Sequence, residues 1–355
     1  MYEIRALPWN GFTAVSTFSG CGGSSLGYRM AGFRMRWASE FIPAAQDTYR
    51  ANAAPYTVLD TRDIRDVTAQ DITTATGLAA GEIDLYDGSP PCAAFSLAGK
   101  REAGWGKPKP YSDTVQRVDD LFFEYARLLK DLQPRTFVAE NVAGLVKGAA
   151  KGYFVQILAA LKACGYRVEA RVLDASRLGV PQTRTRLIFV GVREDLATAP
   201  AFPRPLPYHY TIRDAFPDAS DPRADDETHT DPETGKSITI RPYAIGREWD
   251  TLQPGAKSTR YQSLARPSID KPYPAILQRA GGISVASPTH WHEPRKLTLS
   301  ELRHIGGFPP DFALTGTYEQ RWERIGRAVP PLMMSHIAAT IRDRILTPLR
   351  AQGAI

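Results

Sequence analysis

Cysteine is scarce in this chain, and the three present, Cys21, Cys92 and Cys164, are odd in number and far apart. That pattern excludes a disulfide framework and a cysteine-built zinc cluster, and it fits a reducing compartment. Histidine is nearly as sparse, at 6 of 355 residues. His290 and His292 have no nearby thiol or carboxylate pair to complete a tetrahedral site, so no metal is expected. No apolar stretch approaches the length of a membrane span, and the amino terminus lacks the basic-then-apolar build of a signal peptide. A cytoplasmic location without a membrane partner is therefore expected. Charge of one sign does not dominate either. The net +6 favours a polyanionic partner without identifying one.

What is present is a large apolar complement, 43% of residues, enough for one large domain and a smaller one. From about residue 13 to 195 short apolar runs alternate with longer amphipathic stretches, the βα pattern of a doubly wound, mostly parallel sheet. Strands are expected at Val15 to Phe18, Met35 to Ser39, Ile83 to Tyr86, Thr136 to Ala139 and Leu187 to Val192. Between Asp113 and Leu132 the residues Leu121, Phe122, Tyr125, Leu128, Leu129 and Leu132 recur at helical spacing, which predicts a helix packed on that sheet. After Arg193 the sequence becomes rich in proline and poor in strand patterns. Asp218 to Lys236 carries seven acids against two bases, as a solvated loop does. An apolar helix from about Pro331 to Ile345 is expected to return to the sheet. The expected division is 1–193 plus 318–355 as the larger domain and 194–317 as the smaller.

The candidate chemistry lies at strand ends, where open α/β sheets place their ligands. Ile83-Asp84-Leu85-Tyr86-Asp87-Gly88-Ser89 leads into Pro90-Pro91-Cys92, a turn stiffened by two prolines that presents one thiol. Phe18-Ser19-Gly20-Cys21-Gly22-Gly23 follows a strand and opens a helix, so its glycines let backbone amides approach a nucleotide cofactor. Glu40 ends the next strand, twenty positions after Gly20, where an acid can accept from both ribose hydroxyls. Asp63 can accept from an adenine amino group or cap a helix. Glu140-Asn141-Val142 puts a carboxyl group at a further strand end. Gln182, Arg184 and Arg186 alternate onto one face of an extended segment.

Taken in order along the chain, these motifs resemble the DNA cytosine-5 methyltransferase family. The resemblance also takes in Phe95-Ser96, Arg295-Lys296-Leu297-Thr298, Gly307-Phe308-Pro309, and Gly326 with Val329-Pro330. It implies a Rossmann-like class I methyltransferase domain with a small target-recognition domain, S-adenosylmethionine as donor, duplex DNA as partner and a flipped cytosine as target. Cys92 is then the nucleophile at C6, Glu140 the acid at N3, Arg186 the ligand of O2 and Arg184 a support of the thiol loop. Phe18, Gly20, Cys21, Gly22, Gly23, Glu40, Asp63, Ile64, Pro90, Arg327, Ala328 and Val329 are the implied cofactor contacts. Ser96, Lys100, Arg101, Arg247, Lys257 and Arg260 are candidate DNA contacts, with Trp249, Tyr261, Gln262, Arg266 and Lys271 adding cations and planar groups. His290-Trp291-His292 is expected to help in that contact. Leu97 to Ser112 suits a basic lid over the flipped base. Action as a monomer on DNA, in a prokaryotic or phage setting, is expected.

Three departures stand out. Ala93 replaces the family's Gln after the thiol, Arg327 replaces Asn after Gly326, and Ser16-Thr17 replaces Asp-Leu. A guanidinium about 5 Å from a sulfonium would cost about 3 kcal/mol at an effective dielectric of about 20. Arg327 and Ala93 therefore suggest a donor with an extra anionic group, carboxy-S-adenosylmethionine, whose carboxylate Arg327 would pair and whose bulk Ala93 would admit. A catalytically silent DNA-binding homologue and an RNA cytosine-5 methyltransferase are the competing readings.

Overall fold

A computed structural model of the chain describes residues 4–91, 109–111, 114–116, 120–217, 230, 235 and 237–355. The chain divides into two compact units. The larger comprises Arg5–Leu173, Thr185–Arg204 and Met334–Ile355; the smaller comprises Met1–Ile4, Asp174–Arg184 and Pro205–Met333.

In the larger unit, strands β1 (Thr13–Thr17), β2 (Arg34–Ser39), β3 (Val58–Asp60), β4 (Leu85–Gly88), β7 (Thr136–Val142), β8 (Tyr166–Asp174) and β9 (Thr185–Arg193) form one sheet in the order β3-β2-β1-β4-β7-β9-β8. A separate antiparallel pair joins β5 (Lys109–Tyr111) to β6 (Thr114–Gln116). Contacts between β1 and β2, β2 and β3, β1 and β4, and β4 and β7 are parallel, while β9 runs antiparallel to β7. The mostly parallel α/β sheet expected from the βα rhythm is present. Its central strands are apolar runs, as strands buried on both faces are; Leu85, Tyr86, Phe137, Val138 and Ala139 have no solvent exposure.

The helical spacing after residue 113 materialises as a helix only from Leu121 to Leu132, since Thr114–Gln116 is strand. Its apolar face joins a core of Tyr86, Phe137, Tyr166 and Phe189. Two strands of the large sheet escaped the sequence pattern, as did the short pair β5 and β6. β3 has three residues, and β8 alternates polar and apolar side chains with much of its length exposed, so neither shows the apolar run of a buried strand. At the carboxyl end, the helix Pro331–Ile341 starts on a proline, which lacks only an N–H that a first turn leaves unused anyway. A π turn, Arg342–Leu346, and a last helix, Thr347–Ala351, follow. Arg342 Nη1 donates to the Ala31 carbonyl at 2.6 Å, and the Arg350 guanidinium lies 3.6 Å from the Phe12 ring centroid.

The smaller unit is held differently. Isolated bridges such as Lys257↔Ala265, Ala265↔Pro288 and Thr239↔Arg295 take the place of long strands. Ile240, Ile245, Trp249, Leu252 and Leu264 form a small core, with Trp249 Nε1 donating to Thr289 Oγ1 at 2.7 Å. Arg295 makes a two-pronged pair with Glu301 at 2.8 Å on each prong, both side chains buried. Lys296 is fully buried and donates to the carbonyls of Ala280 and Val285 and to the Ser287 hydroxyl.

Candidate active site

The strand order reverses between β1 and β4: β2 and β3 lie to one side of β1, and β7 lies beyond β4. Crevices at such a reversal, beyond the carboxyl ends of the strands, are where open α/β sheets bind ligands. Both candidate loops leave the sheet there. β1 runs into Phe18, Gly20 and Gly22, at φ of 53°, 57° and 95°, before the helix Gly23–Met30 begins. A side chain at Gly20 would meet no atom within 4 Å, so what glycine supplies is the left-handed backbone and an uncovered peptide surface. Gly22 caps the helix without a side-chain acceptor, which leaves the first-turn amides for a ligand or solvent. Cys21 and Cys164 are both buried.

Glu40 fixes this loop as well as edging it. Its Oε2 accepts from Gly20 N–H and its Oε1 from Ile42 N–H, each at 2.7 Å, while its carbonyl accepts from Gln46 Nε2 at 2.8 Å. These bonds fix the carboxylate at the edge of the loop. Asp63 caps the turn Ile64–Asp66 through Arg65 N–H and pairs with the Arg65 guanidinium at 2.9 Å, and Ile64 is buried beside it. The local capping role is thus present in the structure.

β4 continues to Pro90, which is buried and whose carbonyl accepts from Asn141 Nδ2 at 3.4 Å. That bond ties the Pro-Pro turn to the Glu140-Asn141-Val142 end of β7. Cys92, Ala93, Ser96, Lys100, Arg101 and most of the Leu97–Ser112 segment lie outside the described residues. On β7, Glu140 Oε1 pairs with Arg186 Nε at 2.6 Å, with both side chains mostly buried. Antiparallel pairing of β7 with β9, which sets Val142 opposite Arg186, makes this meeting possible.

Gln182, Arg184 and Arg186 do not share one set of partners. Gln182 bonds to Ile305 and Ile276, and Arg184 donates to the carbonyls of Gly326 and Arg327 at 3.0 and 3.2 Å, all within the smaller unit. Arg327 ends the helix Tyr318–Arg327, where its guanidinium pairs with Glu323 at 2.7 Å. Ala328 is partly exposed and Val329 buried.

Among the recognition candidates, Arg247, Lys257 and Arg260 are exposed. Others serve the unit's interior. Arg266 donates to the Leu252 and Trp291 carbonyls and stacks 4.2 Å from the Trp249 ring. His290 and Trp291 are buried, and His290 Nδ1 accepts from the N–H groups of His292 and Glu293. The His290 side chain thereby holds a turn, while His292 is exposed.

One group at the sheet reversal went unnoticed in the sequence. Asp87, on β4, is buried directly opposite Ser16 of β1; it accepts from Ser16 Oγ and from the Tyr28 hydroxyl, each at 2.7 Å. Ser19 Oγ donates to Ser16 Oγ at 3.0 Å, so the chain of hydroxyls reaches the glycine loop. Burial pushes the Asp87 carboxyl up to about 7; the nearby Glu140 charge adds to that rise, and the hydroxyl bonds oppose it. A carboxylate inside an apolar run, in a chain lacking the family's acid at position 16, was the available signal.

The sequence profile of the C-5 cytosine-specific DNA methylases matches residues 12–343. The chain belongs to that family. The methylase is 30% identical to the type II methyltransferase M.NgoPII of Neisseria gonorrhoeae, over 97% of this chain and 99% of that protein. It is also 30% identical to M1.HphI of Haemophilus parahaemolyticus, over 93% and 86% of the two chains. Among solved structures, a proposed DNA modification methyltransferase encoded within an E. coli prophage superposes with a TM-score of 0.73 at 22% identity, covering 95% and 100% of the chains. The methylase is thus a DNA (cytosine-5)-methyltransferase of the kind found in type II restriction-modification, and DNA is its substrate. Among the described residues no helix is long and apolar enough to cross a membrane, and no cluster of metal-ligating side chains is present.

Proposed function

We propose that the methylase transfers a one-carbon group to C5 of a cytosine flipped out of duplex DNA, with Cys92 as nucleophile and the Glu140–Arg186 pair as the cradle for the base. The observation that carries this reading is that pair, 2.6 Å apart at the strand ends beside the Pro90-Pro91 turn. C5 of cytosine is a weak nucleophile. Addition of the Cys92 thiolate to C6 forms a sulfur–carbon bond and shifts the C5=C6 electron pair onto C5, splitting one hard step into two. Glu140 holds a proton at N3, where negative charge would otherwise build in the ring, and Arg186 orients the carboxyl while donating toward O2. Once C5 carries the new group, a base removes the C5 proton and the Cys92 thiolate departs, restoring the double bond. Extrusion of the base costs about a few kcal/mol, which contacts to the DNA offset.

The glycine loop and Glu40 suit an adenosyl donor: open space over Gly20 and a fixed carboxylate for its ribose. S-adenosylmethionine supplies an electrophilic carbon on a sulfonium. A second reading, carboxymethyl transfer from carboxy-S-adenosylmethionine, draws on Arg327, whose carbonyl is held by Arg184 at the end of its helix. Glu323 already gives that guanidinium an anionic partner, so methyl transfer is the simpler reading. The test is the mass of the modified nucleoside after duplex DNA is treated with each donor separately and with both together. 5-Methylcytosine from the mixture supports the first reading, and 5-carboxymethylcytosine the second. Equal treatment of transfer RNA separates the RNA alternative. DNA binding without any modified base would favour a silent homologue.

A further inference from the structure

The family carries an acid at the position of Ser16, and this chain does not. The carboxylate has not vanished; it stands one strand away. Ser16 and Asp87 are register partners on β1 and β4, the two strands that flank the sheet reversal, and Ser16 Oγ donates to Asp87 Oδ2 at 2.7 Å. Asp87 is 1% exposed. Its hydrogen bonds come from hydroxyls, Ser16 on β1 and Tyr28 on the first helix, and from the backbone of Gly88. Among the described residues no Arg, Lys or His bonds to it. The other groups that act on it are Tyr49 from the helix Pro43–Asn52, Tyr86 of β4, Tyr125 from the helix Leu121–Leu132 and Glu140 from β7, and Glu140 carries the same sign. A buried acid without a cation is costly in its charged form, which is why this one titrates near neutrality.

We propose that Asp87 is the charge-matching residue for the donor: its carboxylate, on β4 three residues before Pro90 and linked through the Ser16 hydroxyl to Ser19 of the glycine loop, favours a ligand with a positive sulfur and replaces the acid missing from position 16. The inference rests on an adenosyl sulfonium as donor, which either donor above provides. A cation arriving at the reversal stabilises the ionised form of Asp87, so binding expels its proton to solvent. By linkage, binding tightens as pH rises through the range where the free protein holds that proton. The product, S-adenosylhomocysteine, keeps the amino, carboxyl and adenosyl groups but has a neutral sulfur. The ratio of the two affinities therefore isolates the sulfonium, and a carboxylate that discriminates between them favours release of product.

Calorimetric titration of the whole protein with S-adenosylmethionine and with S-adenosylhomocysteine, at about pH 6 and about pH 8.5 and in buffers of different ionisation enthalpy, tests this. A pKa lowered by about one unit on binding corresponds to a Kd for S-adenosylmethionine about fivefold tighter at about pH 8.5 than at about pH 6, with proton release and the change centred between about pH 6 and 7. S-adenosylhomocysteine should change by about twofold or less. Asp87→Asn should lose both the pH dependence and the preference, and the exchange Ser16→Asp with Asp87→Ser should restore the preference. Tyr28→Phe removes one hydroxyl from the carboxylate and should raise the midpoint even if Asp87→Asn does not fold. An unchanged affinity ratio in Asp87→Asn, an exchange variant that fails to recover it, or an unmoved midpoint in Tyr28→Phe would overturn the proposal. Wild-type protein that binds neither compound contradicts the adenosyl donor itself. Binding of both with no preference contradicts only the role of Asp87.

Discussion

In the larger unit Glu140 and Arg186 meet because two strands pair in register, and Asp87 meets Ser16 for the same reason. Arg260, an exposed cation of the smaller unit, rides on a turn instead. Ser258 Oγ donates to Glu248 Oε1 at 2.6 Å and accepts from the N–H groups of Arg260 and Tyr261, which fixes the backbone while the Arg260 and Gln262 side chains face solvent. A residue held by register cannot move without moving a strand. A residue displayed on a braced turn can be exchanged at little cost to folding. Chemistry common to a family belongs on the first kind of support, and target choice on the second.

That contrast can be broken or sharpened by substitution. The largest effect should come from Glu140→Gln, which keeps shape but removes the acid: turnover in single-turnover assays should fall about 10²–10⁴-fold with DNA affinity nearly intact. If turnover survives, the strand-held pair is not the base cradle. Next is Glu301→Gln in the smaller unit, which leaves the buried Arg295 guanidinium without its two-pronged partner. Chemical denaturation should show a loss of about 3–5 kcal/mol. A neutral result would mean that the bridged interior does not depend on this pair. The smallest effect belongs to Arg260→Ala, expected to weaken binding to the preferred duplex by about 1–3 kcal/mol while leaving the melting temperature and the competing non-specific binding largely unchanged. A uniform loss across sequences with a shallower salt dependence would instead make Arg260 a phosphate contact.

How far the sequence foretold this molecule follows from the same contrast. The glycine loop, Glu40, the Pro-Pro turn and Glu140-Asn141 were legible because each binds its chemistry to a local spacing or to the end of an apolar run. Ser16 with Asp87 was not, because their bond spans 71 positions and exists only once β1 and β4 are in register. β8 was missed for want of an apolar run, and the start of the helix at Leu121 was placed too early because periodicity carries no stop signal when a short strand precedes it. Arg266, His290 and Trp291 read as surface groups by composition. His290 and Trp291 are buried, and Arg266 is half-buried with its guanidinium on the Leu252 carbonyl and the Trp249 ring, placements that no spacing rule reveals.

The central claim is a covalent bond between Cys92 and C6 of an extruded cytosine. Duplex DNA carrying 5-fluorocytosine at the target tests it most directly, because fluorine at C5 cannot leave as a proton and the final elimination stalls. With S-adenosylmethionine present, the account predicts a stable protein–DNA adduct whose peptide map places the link at Cys92, absent in Cys92→Ala. No adduct, or an adduct at another residue, would contradict it.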